Sequence, residues 1–197
     1  MSETGDPRSA REGTIPGAGI LGMWIFLATL AMFFAAAIGG YLVVRLRAPA
    51  WPPPGMPRLP RGLWITTLVI VLCSVAISRA VAAIRLGQTS RSARWLAATF
   101  WLGVLFLVAQ SVNWWGLVTA NVTARTKNLY AFTFYMFTGL HAAHVIGGLI
   151  LLGIVAARAR RGRYGSGQHA GITYAAMYWH FLGAVWLLLF GVLLVFA

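Results

Sequence analysis

Carboxylates are nearly missing from this 197-residue sequence: 3 Asp+Glu stand against 16 Lys+Arg, and Glu3, Asp6 and Glu12 all fall in the first dozen positions. From Gly13 to Ala197 there is no acidic side chain. That excludes paired-carboxylate acid–base chemistry, carboxylate-ligated metals and a proton relay built from intramembrane Asp or Glu within this chain. Charge of either sign is scarce, 10% of residues against about 25% in an ordinary soluble domain, so a water-facing surface cannot be clothed. Cys73 is the single cysteine, which excludes an intramolecular disulfide. No repeat of fixed period recurs, and the polar-interrupted helix pairs of a small transporter are absent.

What is present is apolar: 59% of residues are hydrophobic and the mean hydropathy is +0.76. A membrane-spanning helix needs roughly 20 mostly apolar residues. Five runs reach that length, at about 22–44, 62–84, 95–119, 130–157 and 172–197. Their continuity predicts an all-α, polytopic bundle of five transmembrane helices and not a barrel of short alternating strands. The first run begins too late and runs too long for a cleavable signal peptide. Residues 1–18 form a polar, Gly-rich segment expected to be mobile, leaving 19–197 as the membrane domain. Pro49, Pro52, Pro53, Pro54, Pro57 and Pro60 predict a semi-rigid extended connector after the first helix, because proline cannot continue one.

The net charge of +13 does not point to nucleic acid, since the arginines cluster between apolar runs, where membrane topology accounts for them. Arg8, Arg11, Arg85, Arg91, Arg94, Arg158, Arg160, Arg161 and Arg163 would lie on one face, and Arg45, Arg47, Arg58, Arg61, Arg125 and Lys127 on the other. The bias predicts a cytoplasmic N-terminus and an external C-terminus in a multi-pass plasma (inner) membrane protein. Trp64, Trp95, Trp114, Trp115, Tyr41 and Tyr130 fall near helix ends, at headgroup level.

Few residues could carry chemistry. His141 and His144, three apart, share a face of the fourth helix; His180 is on the fifth and His169 in the preceding loop. Imidazoles facing each other across helices could ligate haem; alternatively they are hydrogen-bonded packing residues. Arg79, inside the second helix, either snorkels to the interface or pairs with another subunit or a lipid phosphate. Gln110 and Asn113 on the third helix could bond across helices or simply pack. The small-residue runs Ala35–Gly40 and Ala142–Gly148 are expected to let helices approach closely.

Longer motifs are more specific. Phe134-Tyr135-Met136-Phe137-Thr138-Gly139-Leu140-His141-Ala142-Ala143-His144-Val145 resembles the Phe-Tyr-x-x-Thr-Gly-x-His-x-x-His-Val signature of subunit III of haem-copper respiratory oxidases. Tyr178-Trp179-His180-Phe181 with Val185-Trp186-Leu187, Met23-Trp24-Ile25-Phe26-Leu27-Ala28 with Met32-Phe33-Phe34, and Gln110 with Trp114 are similar to further patterns of that family. The resemblance spans nearly the whole chain after residue 18. It implies a five-helix bundle lacking two N-terminal helices of the seven-helix forms, and an accessory subunit that binds no haem or copper itself. Those cofactors are expected in the catalytic partner, subunit I, which reduces oxygen to water with electrons from cytochrome c; subunit II and lipids are further implied partners. In the family, subunit III holds lipids in a cleft, helps sustain proton uptake and protects the oxygen-reducing site. His141, His144, Trp179, His180, Trp186 and Gln110 are thereby expected to be structural or interface residues, and Arg79 and Trp24 contacts to lipid or partner. A quinol oxidase subunit, a nitric-oxide-reductase-associated relative and a self-contained b-type cytochrome are the alternatives.

Three departures stand out. Thr29-Leu30 replaces the family's Ser-Glu, Asn113 follows Gln110 where Gln-x-x-Glu is usual, and Gly183 stands where the last-helix motif ends in Asp. Losing all three carboxylates together suggests a coherently remodelled interior, because losing one alone would strand its partner. Proton pumping by the complex is therefore expected not to depend on titratable groups in this subunit's membrane interior, its histidines apart. Proton uptake and turnover measured across pH, with and without the subunit, test this; a pH dependence lost on replacing Asn113, with assembly intact, would contradict it.

Overall fold

A computed structural model describes residues 18–48, 51, 60–119 and 129–195. The polar N-terminal segment, most of the proline-rich connector, Arg58, Arg125 and Lys127 lie outside the described residues. Five helices are present: α1 (Ala18–Arg47), α2 (Gly62–Arg85), α3 (Thr89–Thr119), α4 (Leu129–Arg160) and α5 (Ala170–Val195). All five are long and apolar enough to cross a membrane, and no strand occurs among the described residues. Only helices can satisfy the backbone of such segments within each segment, which is why the apolar runs fold this way.

The helices outrun the apolar stretches that announce them. At 1.5 Å per residue, α3 with 31 residues and α4 with 32 are about 47 Å long, against a hydrocarbon core of about 30 Å. The largest difference is the start of α3, at Thr89 and not near residue 95. Gly87, at φ 72°, closes α2: Gln88 N–H donates to the Ala83 carbonyl (2.9 Å) and Gly87 N–H to that of Ile84 (3.0 Å). This six-to-one, five-to-two pairing needs a left-handed residue and ends a helix abruptly. The chain then re-enters a helix at once, through polar residues that hydropathy cannot register. Gly162, at φ 69°, ends α4 in the same way.

Helices α2, α3, α4 and α5 close a ring, each packed on two neighbours, while α1 lies outside it against α5 and α4, with no close backbone approach to α2 or α3. The tightest seam is α2–α3. Ala76, Ala80 and Ala83 are buried on α2, and Ser92, Thr99 and Gly103 on α3, so small residues recur about every turn on both sides. Ser92 Oγ donates to the Ala80 carbonyl at 2.9 Å across that seam. The small-residue runs singled out in the sequence contribute less: a Cβ on Gly39, Gly40 or Gly147 would meet nothing within 4 Å, and only Gly148 is in close approach, to Tyr178. On the opposite membrane face, Trp51 packs edge-on against Tyr41 and Tyr130, tying the connector to α1 and α4.

Gly103 sits where the Trp179 ring and Leu149 converge, and a Cβ there would come within 2.6 Å of the ring. Gly103→Ala should lower stability by about 1–3 kcal/mol, the usual cost of overpacking. Thermal unfolding in mild detergent checks this against Gly147→Ala, which meets open space and should not lower the midpoint.

Candidate functional site

The three helix histidines sit at three separate places. The deepest is centred on His141, whose relative exposure is 0%. Its ring lies 5.6 Å from Phe106 of α3 and 5.0 Å from Trp186 of α5, and those two rings meet edge to face at 4.9 Å. Trp186 Nε1–H donates to Thr67 Oγ of α2 at 3.0 Å, so all four ring helices meet at this junction. Gln110, one turn along α3 from Phe106, is 1% exposed. Neither its amide nor either His141 ring nitrogen has a hydrogen-bond partner among the described residues. The α3–α4 bond is made instead by Trp114 Nε1–H to Thr138 Oγ at 3.0 Å. Trp179 is buried with its ring against Gly103, a packing element.

His144 turns the other way. One ring nitrogen lies 2.8 Å from the Leu140 carbonyl of its own helix, and its ring is 5.1 Å from Phe34 of α1. Tyr178 Oη–H donates to the His144 carbonyl at 3.0 Å. His144 thus belongs to the seam that holds α1. His180 faces α2, its Nε2 3.2 Å from Ser78 Oγ, and is exposed at the outer surface of the bundle. Together with Trp24, Ala28, Ala31, Phe181 and Ala184 it lines an open groove of about 560 Å³ between α1 and α5. Its walls come from α1 and α5, and α1 makes no close backbone approach to α2. Trp24, 60% exposed, stands at its edge. His169 ends the preceding loop, its carbonyl accepting the first-turn amides of Ile172 and Thr173.

Arg79 finds a partner that a search for carboxylates overlooks: its guanidinium lies over the Trp95 ring at 5.0 Å. Such a contact is electrostatic attraction to the ring face and leaves the cation near the interface. The three positions that depart from the oxidase pattern do not form one cluster. A Cβ on Gly183 would lie 3.0 Å from Ser74 Oγ of α2, whereas the Asn113 side chain fills the space beside Gly62, which a Cβ there would occupy. Gly62 and Ser74 are twelve residues apart on α2, about 18 Å along its axis. Leu30 is on α1, which has no close approach to α2. The expectation of a single remodelled interior therefore gives way to three local changes in three seams.

Trp186→Phe and Thr67→Val each remove one side of the α5–α2 hydrogen bond and should each cost about 0.5–1.5 kcal/mol. A double-mutant cycle read by unfolding in detergent should show the pair to be non-additive, the double variant costing little more than the larger single. Full additivity would mean the bond contributes nothing.

Residues 18–197 match the family described as cytochrome c oxidase subunit III. The chain is 33% identical to a cytochrome c oxidase subunit 3 of Synechocystis sp., over 89% of this chain and 74% of the relative. It is 32% identical to a protein of the same name from Thermostichus vulcanus, over 90% and 87% of the two chains. With a probable cytochrome c oxidase subunit 3 of Mycobacterium leprae it shares 30% identity over 88% and 85%. With five membrane-spanning helices and a match that runs through all of them, the chain belongs to the cytochrome c oxidase subunit III family.

Proposed function

We propose that this chain is the accessory, non-catalytic subunit of a haem-copper terminal oxidase, packed against the catalytic subunit I and stabilising it. The observation that carries this reading is where the motif residues lie: His141, Trp179 and Trp186 are buried in helix-packing seams and His144 holds α1, so the signature builds a scaffold. Oxygen reduction, with its haem and copper, then belongs to subunit I, and subunit II completes the complex. The relatives are named for cytochrome c oxidase, which favours cytochrome c over a quinol as the complex's electron donor. A self-contained b-type cytochrome needs imidazoles facing each other across helices, whereas these three turn to α3 and α5, to α1, and to α2.

The groove beside α1 suits a phospholipid acyl chain: its walls are apolar and it opens sideways from the bundle. The chain sits in the plasma membrane with its N-terminus cytoplasmic and its C-terminus external. Among the described residues, Arg85, Arg91, Arg94, Arg158, Arg160, Arg161 and Arg163 crowd the proposed cytoplasmic ends, against Arg45, Arg47 and Arg61 at the other.

Purification of the tagged chain in mild detergent should recover a haem- and copper-containing subunit I. Recovery of the chain alone under several detergents would overturn the assignment. Once stripped of the other subunits, the chain should show no reducible haem band; a band that persists would favour the cytochrome reading.

A further inference from the structure

Polar side chains without partners gather in the half of the bundle where α2 and α4 begin and α3 ends. Gln110 Nε2 and Oε1, Asn113 Nδ2 and both ring nitrogens of His141 are buried and make no hydrogen bond among the described residues. The antiparallel register of α3 and α4 brings Gln110 and His141 to one level. A Cβ on Gly103 would come within 2.9 Å of Leu149, and Trp114 bonds to Thr138, eleven residues further along α3 and eleven back along α4. Gln110 therefore lies level with Ala142, the neighbour of His141. The two side chains are 1% and 0% exposed, and Phe106, in ring contact with His141, is one turn from Gln110.

Asn113 continues the set outward. It is one turn from Gln110, about 4.5 Å along α3, and its side chain fills the space beside Gly62, the first residue of α2. In the other direction the polar groups stop at fully buried apolar side chains, Phe106 on α3 and Val145 on α4. The donors and acceptors identify the occupant. A neutral imidazole offers one donor and one acceptor, the Gln110 amide offers both, and the Asn113 amide nitrogen only donates. An anion could not serve the accepting imidazole nitrogen or the Gln110 oxygen, and a cation could not serve the amide N–H groups. Water donates and accepts, suits either tautomer, and inside proteins makes about 3 hydrogen bonds to buried polar groups that lack other partners.

We infer that internal water occupies this seam, bridging His141 to Gln110 and Gln110 to Asn113, and that it enters beside Gly62 where α2 begins. His141 is thereby joined to the aqueous phase of that membrane face although the four ring helices bury it. The inference does not rest on the chain's place in an oxidase.

The test is water-edited solid-state NMR of the isotope-labelled full chain in lipid bilayers, with any subunits that co-purify. Polarisation should pass from water to the His141 ring and the Gln110 amide, as it does to exposed Gln168 in the loop. Leu152, equally buried on the same helix about 16 Å from His141, should receive little. Gln110→Leu should abolish the transfer to His141 and Asn113→Leu should slow it. Ser111→Ala, an exposed change beside Gln110, should leave it as it is. A His141 ring as dark as Leu152 in the unaltered chain would overturn the proposal, whether or not any variant folds. Direct contact between the Gln110 amide and a His141 ring nitrogen, without transfer from water, would overturn it too, by closing the seam on itself. So would a His141 signal that survives Gln110→Leu undiminished.

Discussion

The bundle depends on one contact set, the junction of Phe106, His141, Trp186 and Thr67. Inside a membrane there is no gain from hiding apolar surface from water once the helices are inserted, so association rests on close packing and on hydrogen bonds between helices. Here a single tryptophan does both. Its ring packs edge-on against Phe106 and beside His141, and its indole N–H reaches Thr67, so α2, α3, α4 and α5 are joined at one depth. With no carboxylate among the described residues, ion pairs cannot serve this purpose; aromatic contacts and small-residue seams take their place.

The ring of four helices leaves α1 on its own, held by Phe34 on His144 and by the aromatic cluster of Tyr41, Trp51 and Phe137. The groove lies between α1 and α5, and His180, which lines it, has its Nε2 3.2 Å from Ser78 Oγ of α2. An exposed polar pair inside a membrane is best satisfied by a lipid or a neighbouring subunit, which agrees with an accessory role. The same geometry accounts for the scattered departures from the family pattern. Asn113 beside Gly62 and Gly183 beside Ser74 each solve a local packing problem, and neither requires the other.

Sequence patterns carried the membrane architecture well and the site only in part. Five apolar runs give five helices because hydropathy and length are properties of a segment by itself. The start of α3 was hidden because all but Ala93 of the residues from Thr89 to Arg94 are polar, and helix continuation there follows from the Gly87 turn and from Ser92 bonding across to Ala80. Arg79 looked unpartnered while only carboxylates were considered; Trp95 supplies an aromatic face. Gln110 and Asn113 suggested a cross-helix bond, yet that bond is made by Trp114, whose spacing from Thr138 carries no periodic signal.

The amino-acid sequence determined by itself the solvent, the number of helices and the exclusion of carboxylate chemistry, because each follows from composition along one continuous run. It also carried the family signature. Only the tertiary structure decided which way each histidine turns, that α1 stands outside a closed ring of four, and that a groove opens between α1 and α5. Those outcomes depend on which faces of different helices meet, and residues such as His141 and Trp186 are brought together by packing across the bundle and not by their spacing along the chain.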